Sequence, residues 1–95
     1  MSTTLGLVHL TFHVPQAGSL KDKRRFVKGF RDRLTARFNV SVAEVGGQDT
    51  HRTAVLAVAM VGSDKRYVEG ALQKICNQAA SHRDLLLIEQ DVEWM

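Results

Sequence analysis

The sequence predicts a ferredoxin-like α+β sandwich with the order βαββαβ, in which a four-stranded antiparallel sheet carries two helices on one face. Four segments have the apolar patterning of strands, and two longer segments between them repeat apolar residues at helical spacing. A glycine-rich turn joins the second and third strands. Because 95 residues suffice for one domain, we expect residues 1–95 to fold as a single unit with the first and third strands at the centre of the sheet.

The first strand is predicted over Leu5 to Val14, where two sets of side chains alternate with the period of two that a strand requires. A short loop with one proline follows. Ser19 is a favourable N-cap for the first helix, and Asp22 stands three residues later, at the position that completes a capping box. Apolar residues at helical spacing extend this helix to about Arg37.

The second strand is predicted over residues 38–45 and is rich in valine. The third strand is predicted over residues 53–61 and is apolar on both of its faces. The Gly46-Gly47-Gln48-Asp49 segment between them has the composition of a turn, so the two strands are expected to form a hairpin.

The second helix is expected to begin after Ser63, which is a suitable N-cap. Its apolar face is predicted to run from Tyr67 to Ala79. Residues 81–84 are polar enough to form a connector, and the last strand is predicted over Leu85 to Trp94.

Composition and cysteine content describe an ordinary globular chain. Hydrophobic residues make up 44% of the chain and charged residues 24%, and the single cysteine, Cys76, excludes an internal disulfide framework. No apolar run approaches the roughly 20 residues of a membrane span, and the first four residues lack the features of a signal peptide. We therefore expect a cytoplasmic protein without a membrane partner.

Charge is unevenly distributed along the chain. Between Ser19 and Phe38, eight lysines and arginines stand against two aspartates, which gives a local charge of +6, whereas the remaining residues sum to −3. Three of the acids, Glu89, Asp91 and Glu93, alternate along the last strand and therefore share one of its faces. This asymmetry bears on the binding partners of the protein rather than on its fold.

The basic first helix is the clearest candidate binding site. Arg24, Lys28 and Arg31 are spaced to share one solvent face, where they can neutralise several phosphates. The candidate nucleic-acid-binding residues are Lys21, Lys23, Arg24, Arg25, Lys28 and Arg31. Two alternatives remain open for this surface: a solvated helix face that the acidic last strand balances, and a docking surface for an acidic protein partner.

One face of a ferredoxin-like sheet carries no helices, and here that face is expected to be apolar with small side chains. A homo-oligomer that packs sheet against sheet would cover it. The candidate interface residues are Leu7, His9, Thr11 and His13 of the first strand with Val55, Ala57 and Ala59 of the third. An RNA-recognition sheet is not expected, because neither strand offers an aromatic stacking platform on this face. Burial of the two histidines between protomers would make such an assembly sensitive to pH.

No pattern in the sequence points to catalysis, a metal or a cofactor. His9 and His13 are roughly 13 Å apart on a regular strand, which is too far for them to share one ion. Cys76 has no local base and is interpreted as a structural thiol. We therefore expect a non-enzymatic protein; an enzyme would need a pocket in which polar groups converge.

Several segments resemble the bacterial YlxP-like family. They are Ser19–Arg24 after the first strand, Arg37–Val45 and the Gln48-Asp49 turn, and the similarity extends over about Leu5 to Glu93. The resemblance implies a small ferredoxin-like protein of unknown function, whose gene is often found near those for transcription termination and translation initiation factors. That neighbourhood suggests a role in ribosome assembly or translation.

The leading hypothesis is therefore a non-enzymatic domain that associates with RNA or a ribosomal subunit through its first helix and uses no cofactor. Phosphate contacts of this kind position a protein without reading the nucleotide sequence. The alternative is a homo-oligomeric protein-interaction module that packs through the open sheet face and has no nucleic-acid role.

Overall fold

A computed structural model describes residues 1–95, which form four strands and two helices. The elements are β1 (Thr4–His13), α1 (Leu20–Arg37), β2 (Ser41–Gly46), β3 (Thr53–Gly62), α2 (Lys65–Ala80) and β4 (Leu86–Trp94). The strands make one antiparallel sheet in the order β2-β3-β1-β4. The predicted ferredoxin-like βαββαβ sandwich is therefore confirmed, with β1 and β3 at the centre of the sheet.

The hydrophobic core lies between one face of the sheet and the two helices. Every second side chain of β1 and β3 is buried, and Leu10 stands directly opposite Leu56 on that face. The ring of Phe30 on α1 packs edge-on against Phe12 of β1, with 5.4 Å between the ring centroids. α2 buries Val68, Ala71, Leu72, Ile75, Cys76 and Ala79. Since both helices join this single cluster, the opposite face of the sheet carries no helix.

The first helix begins and ends where the sequence predicts. The Ser19 hydroxyl accepts a hydrogen bond from the backbone N–H of Asp22 at 3.1 Å, as an N-cap does. The Asp22 carboxylate accepts a hydrogen bond from the backbone N–H of Gly18 at 3.0 Å. In a capping box the donor would be the N–H of the N-cap itself, Ser19, which is the next residue. These two bonds satisfy donors at the start of α1, and the helix continues to Arg37.

Two strands begin later than the sequence predicts. β2 begins at Ser41, because the backbone N–H of Phe38 still bonds the Leu34 carbonyl and so belongs to the turn that closes α1. β4 begins at Leu86. Leu85, the residue before it, is fully buried and ends the connector as part of the core.

The second helix differs from the prediction in its cap and in one exposed residue. Its N-cap is Asp64 rather than Ser63, since the Asp64 carboxylate accepts from the backbone N–H of Arg66 at 3.0 Å. Tyr67, which the sequence places in the apolar stripe, is 66% exposed, because the buried stripe begins one residue later at Val68. Neither helix is long and apolar enough to cross a membrane.

Candidate nucleic-acid interface

One flank of α1 carries the central basic residues of the candidate site. Arg24, Lys28 and Arg31 are exposed and line a cleft of about 340 Å³ between α1 and β2. Val42 and Glu44 of β2 form part of the opposite wall. The structure therefore places the three basic side chains side by side, as their helical spacing predicts; we call them the basic flank.

Two basic side chains of α1 are already paired with acids of the same helix. Lys28 Nζ lies 2.7 Å from Asp32 Oδ2, and this hydrogen bond holds the pKa of Asp32 below its usual value. Arg25 lies 3.7 Å from Asp22 and stacks over the ring of Phe26. Exposed pairs of this kind are weak and exchange readily for other anions. The exposed candidates without an ion pair are Lys21, Arg24 and Arg31.

Lys23 does not belong to the exposed surface. Its side chain is 1% exposed, and Nζ donates to the backbone carbonyls of Gly47 at 2.6 Å, Thr50 at 2.7 Å and Thr53 at 3.1 Å. Glu44 Oε2 lies 2.8 Å from the same nitrogen. The prediction of Lys23 as a phosphate contact is wrong, because two carbonyls of the loop between β2 and β3 and one at the start of β3 already use all three N–H groups of its ammonium.

The sequence contains a signal for this buried lysine. Lys23 precedes Val27, Phe30 and Leu34 at the spacing of the apolar stripe, and all four side chains are buried on the same side of α1. Its position on the helix thus indicates burial, although its chemistry suggests exposure. The hydrogen-bond partners of Lys23 come from the hairpin of β2 and β3, which is distant from Lys23 in the sequence.

The acidic residues of β4 lie on the sheet face that is opposite to the helices. Glu89, Asp91 and Glu93 stand opposite Thr11, His9 and Leu7 of β1, whose side chains alternate with the buried ones. Next to Glu89 the strand β4 has a bulge: the pairing with β1 shifts by one residue, and Ile88 has no partner in β1. No ion pair joins α1 to β4. The acidic strand therefore does not balance the basic helix by contacts within one molecule.

The candidate oligomer interface forms a contiguous patch on this open face. Leu7, His9 and Thr11 pair with Ala59, Ala57 and Val55, and His13 continues the row. All seven of these side chains are half-buried in the single chain. Ala43 of β2 extends the patch on one side, and the acidic row of β4 bounds it on the other. We call these seven residues the open-face patch.

Cys76 and the histidines are the remaining residues at which the sequence raises metal binding or thiol chemistry. No group of three or more His, Cys, Asp or Glu side chains is placed to hold a metal ion. Cys76 is buried in the core, and burial raises the pKa of its thiol. A buried thiol with a raised pKa is a poor nucleophile, which agrees with the structural interpretation.

Comparison with known proteins identifies the family. A family model described as "Protein of unknown function (DUF503)" matches residues 5–92. The uncharacterized protein YlxP of Bacillus subtilis (strain 168) is 35% identical over 71 residues, which represent 75% of this chain and 77% of that protein.

Solved structures with a similar fold are distant in sequence. SnoaB, a cofactor-independent oxygenase from Streptomyces nogalater, superposes with a TM-score of 0.51 at 12% identity and covers 100% of this chain and 92% of its own. The de novo designed protein Ferredog-Diesel gives a TM-score of 0.52 at 13% identity, with 98% and 86% covered. At these identities the likeness is one of fold and not of activity. The family match and the Bacillus relative together show that the chain belongs to the DUF503 family, the YlxP-like proteins of unknown function that its sequence resembles.

Proposed function

We propose that this chain is a non-enzymatic cytoplasmic domain that binds RNA or a ribosomal subunit through the exposed basic residues of α1. The observation that carries the proposal is the basic flank, where Arg24, Lys28 and Arg31 lie side by side and only Lys28 is paired with an acid. Lys21 and Arg25 add positive charge at the beginning of the same helix.

The surroundings of the basic flank keep it cationic. Glu44 is the one acid that lines the cleft, and its charge is neutralised by the buried ammonium of Lys23. The acids of β4 lie on the opposite face of the sheet. A guanidinium presents two parallel N–H groups to a phosphate, so Arg24 and Arg31 suit a phosphodiester backbone. Specificity would then come from the shape of the RNA or from a neighbouring ribosomal protein.

Co-sedimentation with separated ribosomal subunits and with a structured RNA, over a salt series, tests the proposal. Log affinity should fall by about 0.7 to 0.9 per phosphate contacted for each unit of log salt. The triple variant Arg24→Glu, Lys28→Glu, Arg31→Glu should abolish binding, because three attractive charges become repulsive.

A matched control changes the net charge by the same amount elsewhere. Arg52, Arg66 and Lys74 are exposed, lie outside the basic flank and form no ion pair. The triple variant Arg52→Glu, Arg66→Glu, Lys74→Glu should keep most of the binding. Unchanged binding after reversal of the basic flank, or an equal loss in both triple variants, would contradict the assignment of the site.

A second candidate function, a homo-oligomeric interaction module, rests on the open-face patch. Ala57 stands at its centre, between His9 of β1 and Ala43 of β2. Val61, four residues further along β3, is 57% exposed. An apolar strip of this kind is stabilised when a second sheet covers it. This function uses the face opposite to α1 and is compatible with RNA binding.

Light scattering over a range of protein concentrations tests the second candidate. Ala57→Glu should dissociate the oligomer, because a carboxylate buried without a partner is costly. Ala36→Glu, at an exposed position of α1, is the control and should leave the assembly intact. A wild-type protein that remains monomeric at high concentration would remove this candidate.

A further inference from the structure

A second cleft lies on the other flank of α1, where this helix meets the end of α2 and the connector to β4. Its volume is about 780 Å³, and none of its seven lining side chains is hydrophobic. The charged and ionisable groups among them are Arg33, Arg37, His82, Arg83 and Asp84. We call this site the basic cleft. It shares no residue with the basic flank, which lies on the side of α1 that faces β2.

The hydrogen bonds of His82 fix which of its ring nitrogens carries the proton. Nδ1 accepts from the backbone N–H groups of Asp84 at 3.0 Å and Leu85 at 3.2 Å, so this nitrogen carries no proton and the neutral ring is protonated at Nε2. Burial, reinforced by the charge of Arg33, lowers the pKa of His82 and favours the neutral ring. The ring is held in place by edge-on packing against Phe30.

Nε2 of His82 lies within hydrogen-bond distance of Nη2 of Arg33. Both nitrogens are donors, since the ring proton is on Nε2 and a guanidinium has no acceptor. Neither group can satisfy the other. An anionic oxygen beside the two nitrogens would accept a hydrogen bond from both. The group that would complete the His82–Arg33 pair is therefore a hydrogen-bond acceptor.

Cations exceed anions around this pair of donors. Arg33 and Arg83 form no ion pair, and Arg37 makes one long hydrogen bond of 3.5 Å to Gln78. Asp84, the one acid of the cleft, is also unpaired with any cation.

Arginines near the end of a helix often stabilise its last carbonyl groups instead of a ligand. At the end of α2, however, the backbone N–H groups of Ser81 and His82 already bond three of the last carbonyls. Arg83, which follows α2, is therefore not needed to satisfy these carbonyl groups.

We propose that the basic cleft binds a phosphate group. One oxygen would lie beside the two nitrogens and accept from both His82 Nε2 and Arg33 Nη2, and Arg37 and Arg83 would neutralise the remaining charge. The arginines supply paired N–H groups that match phosphate oxygens. The phosphate can belong to a small soluble ligand or to an RNA backbone. This inference goes beyond the proposed function, because it concerns different residues on a different flank of α1.

Titration of the full-length protein with pyrophosphate at constant ionic strength, followed by NMR of the arginine and histidine side chains, tests the site. The Nε2 signal of His82 and the Nε signal of Arg33 should shift together and saturate. Arg33→Ala should weaken binding by about tenfold or more, as expected for loss of a charge-assisted hydrogen bond. Arg66→Ala, at an exposed position of α2 outside the cleft, should not change the affinity.

A second variant separates binding from folding. In His82→Asn the amide oxygen can still accept from the connector N–H groups, whereas the Nε2 donor is lost. This variant should remain folded and should bind pyrophosphate more weakly than the wild type. Wild-type affinity in both His82→Asn and Arg33→Ala would overturn the assignment of pyrophosphate to this cleft.

The same variants distinguish the two sources of phosphate. If a soluble phosphate is the ligand, pyrophosphate binds saturably and Arg33→Ala weakens pyrophosphate binding. If an RNA backbone is the ligand, Arg33→Ala instead lowers the affinity for RNA more than Arg66→Ala does. No effect of Arg33→Ala in either titration overturns the proposal. Reversal of the basic flank should leave pyrophosphate binding intact, so failure of one site is distinguishable from failure of the other.

Discussion

At the scale of single residues, Lys23 is the one charged side chain that the fold buries. Its three N–H groups bond two carbonyls of the loop between β2 and β3 and the carbonyl of Thr53 at the start of β3, and Glu44 supplies the opposite charge. The loop closes at Gly47, whose φ of 74° is one that other residues rarely adopt. One ammonium therefore fastens the hairpin loop to the first turn of α1.

Replacement of Lys23 with Met should lower the free energy of unfolding by about 3 kcal/mol, because Glu44 and the loop carbonyls lose their partner. This is the low end of the range for a broken buried pair, since the Glu44 side chain is 22% exposed and water can reach it. Urea denaturation measures the change. Lys21→Met, at an exposed position of the same helical turn, is the control and should cost less than about 0.5 kcal/mol. An equal loss in the two variants would show that Lys23 does not fasten the loop.

At the scale of elements, α1 presents three different surfaces from one sequence. Its apolar stripe faces the sheet, the basic flank faces β2, and Arg33 and Arg37 face α2 and the connector. The helix keeps this arrangement although Gly29, near its middle, lowers helix propensity by about 1 kcal/mol relative to alanine. Packing of the apolar stripe on the sheet supplies the stability that local propensity lacks.

Two glycine substitutions should have opposite effects on stability. A Cβ at Gly29 would meet no atom within 4 Å, so Gly29→Ala should raise the free energy of unfolding by about 0.5 to 1 kcal/mol. A Cβ at Gly6 of β1 would lie 2.7 Å from Leu72 and 2.9 Å from Trp94, so Gly6→Ala should lower it by about 1 to 3 kcal/mol. Thermal unfolding of both variants measures the difference. Destabilisation by Gly29→Ala would mean that α1 needs the close approach of another surface at this position.

At the scale of the whole molecule, the sheet separates the basic residues of α1 from the acidic row of β4. The basic residues of α1 lie on the helical side, and the acids of β4 lie in a row on the open face. Exposed charges interact weakly beyond about 8 Å at physiological ionic strength. This distance is shorter than the spacing of about 10 Å between packed layers. The two charged surfaces are therefore free to act on different partners.

Neutralisation of the acidic row tests this separation. The triple variant Glu89→Gln, Asp91→Asn, Glu93→Gln should change the RNA affinity by less than about twofold at physiological salt, because screening removes its effect on the basic flank. Asp32→Asn provides the contrast: it frees Lys28 from its ion pair and should strengthen binding, as filter binding would show. A large gain in affinity from the acidic-row variant would mean that β4 screens the helix after all.

The order of the elements, the cap at Ser19 and the two faces of β1 could all be predicted from the sequence, because each depends on residues close together in the chain. Alternation with a period of two separates the buried Leu10 from the open-face His9 without knowledge of any partner strand. The basic flank could be predicted for the same reason, since Arg24, Lys28 and Arg31 lie on consecutive turns of one helix.

Contacts between distant segments were decided by the tertiary structure alone. Lys23 looks like a surface lysine until the loop that follows β2 surrounds it with carbonyl groups. His82 and Arg33 are separated by 49 positions, and their donors face each other only because α1 and the connector pack side by side. Local patterns thus determined the elements and their faces, whereas charge pairing depended on packing, because the interaction between two groups is set by their distance and burial and not by their separation in sequence.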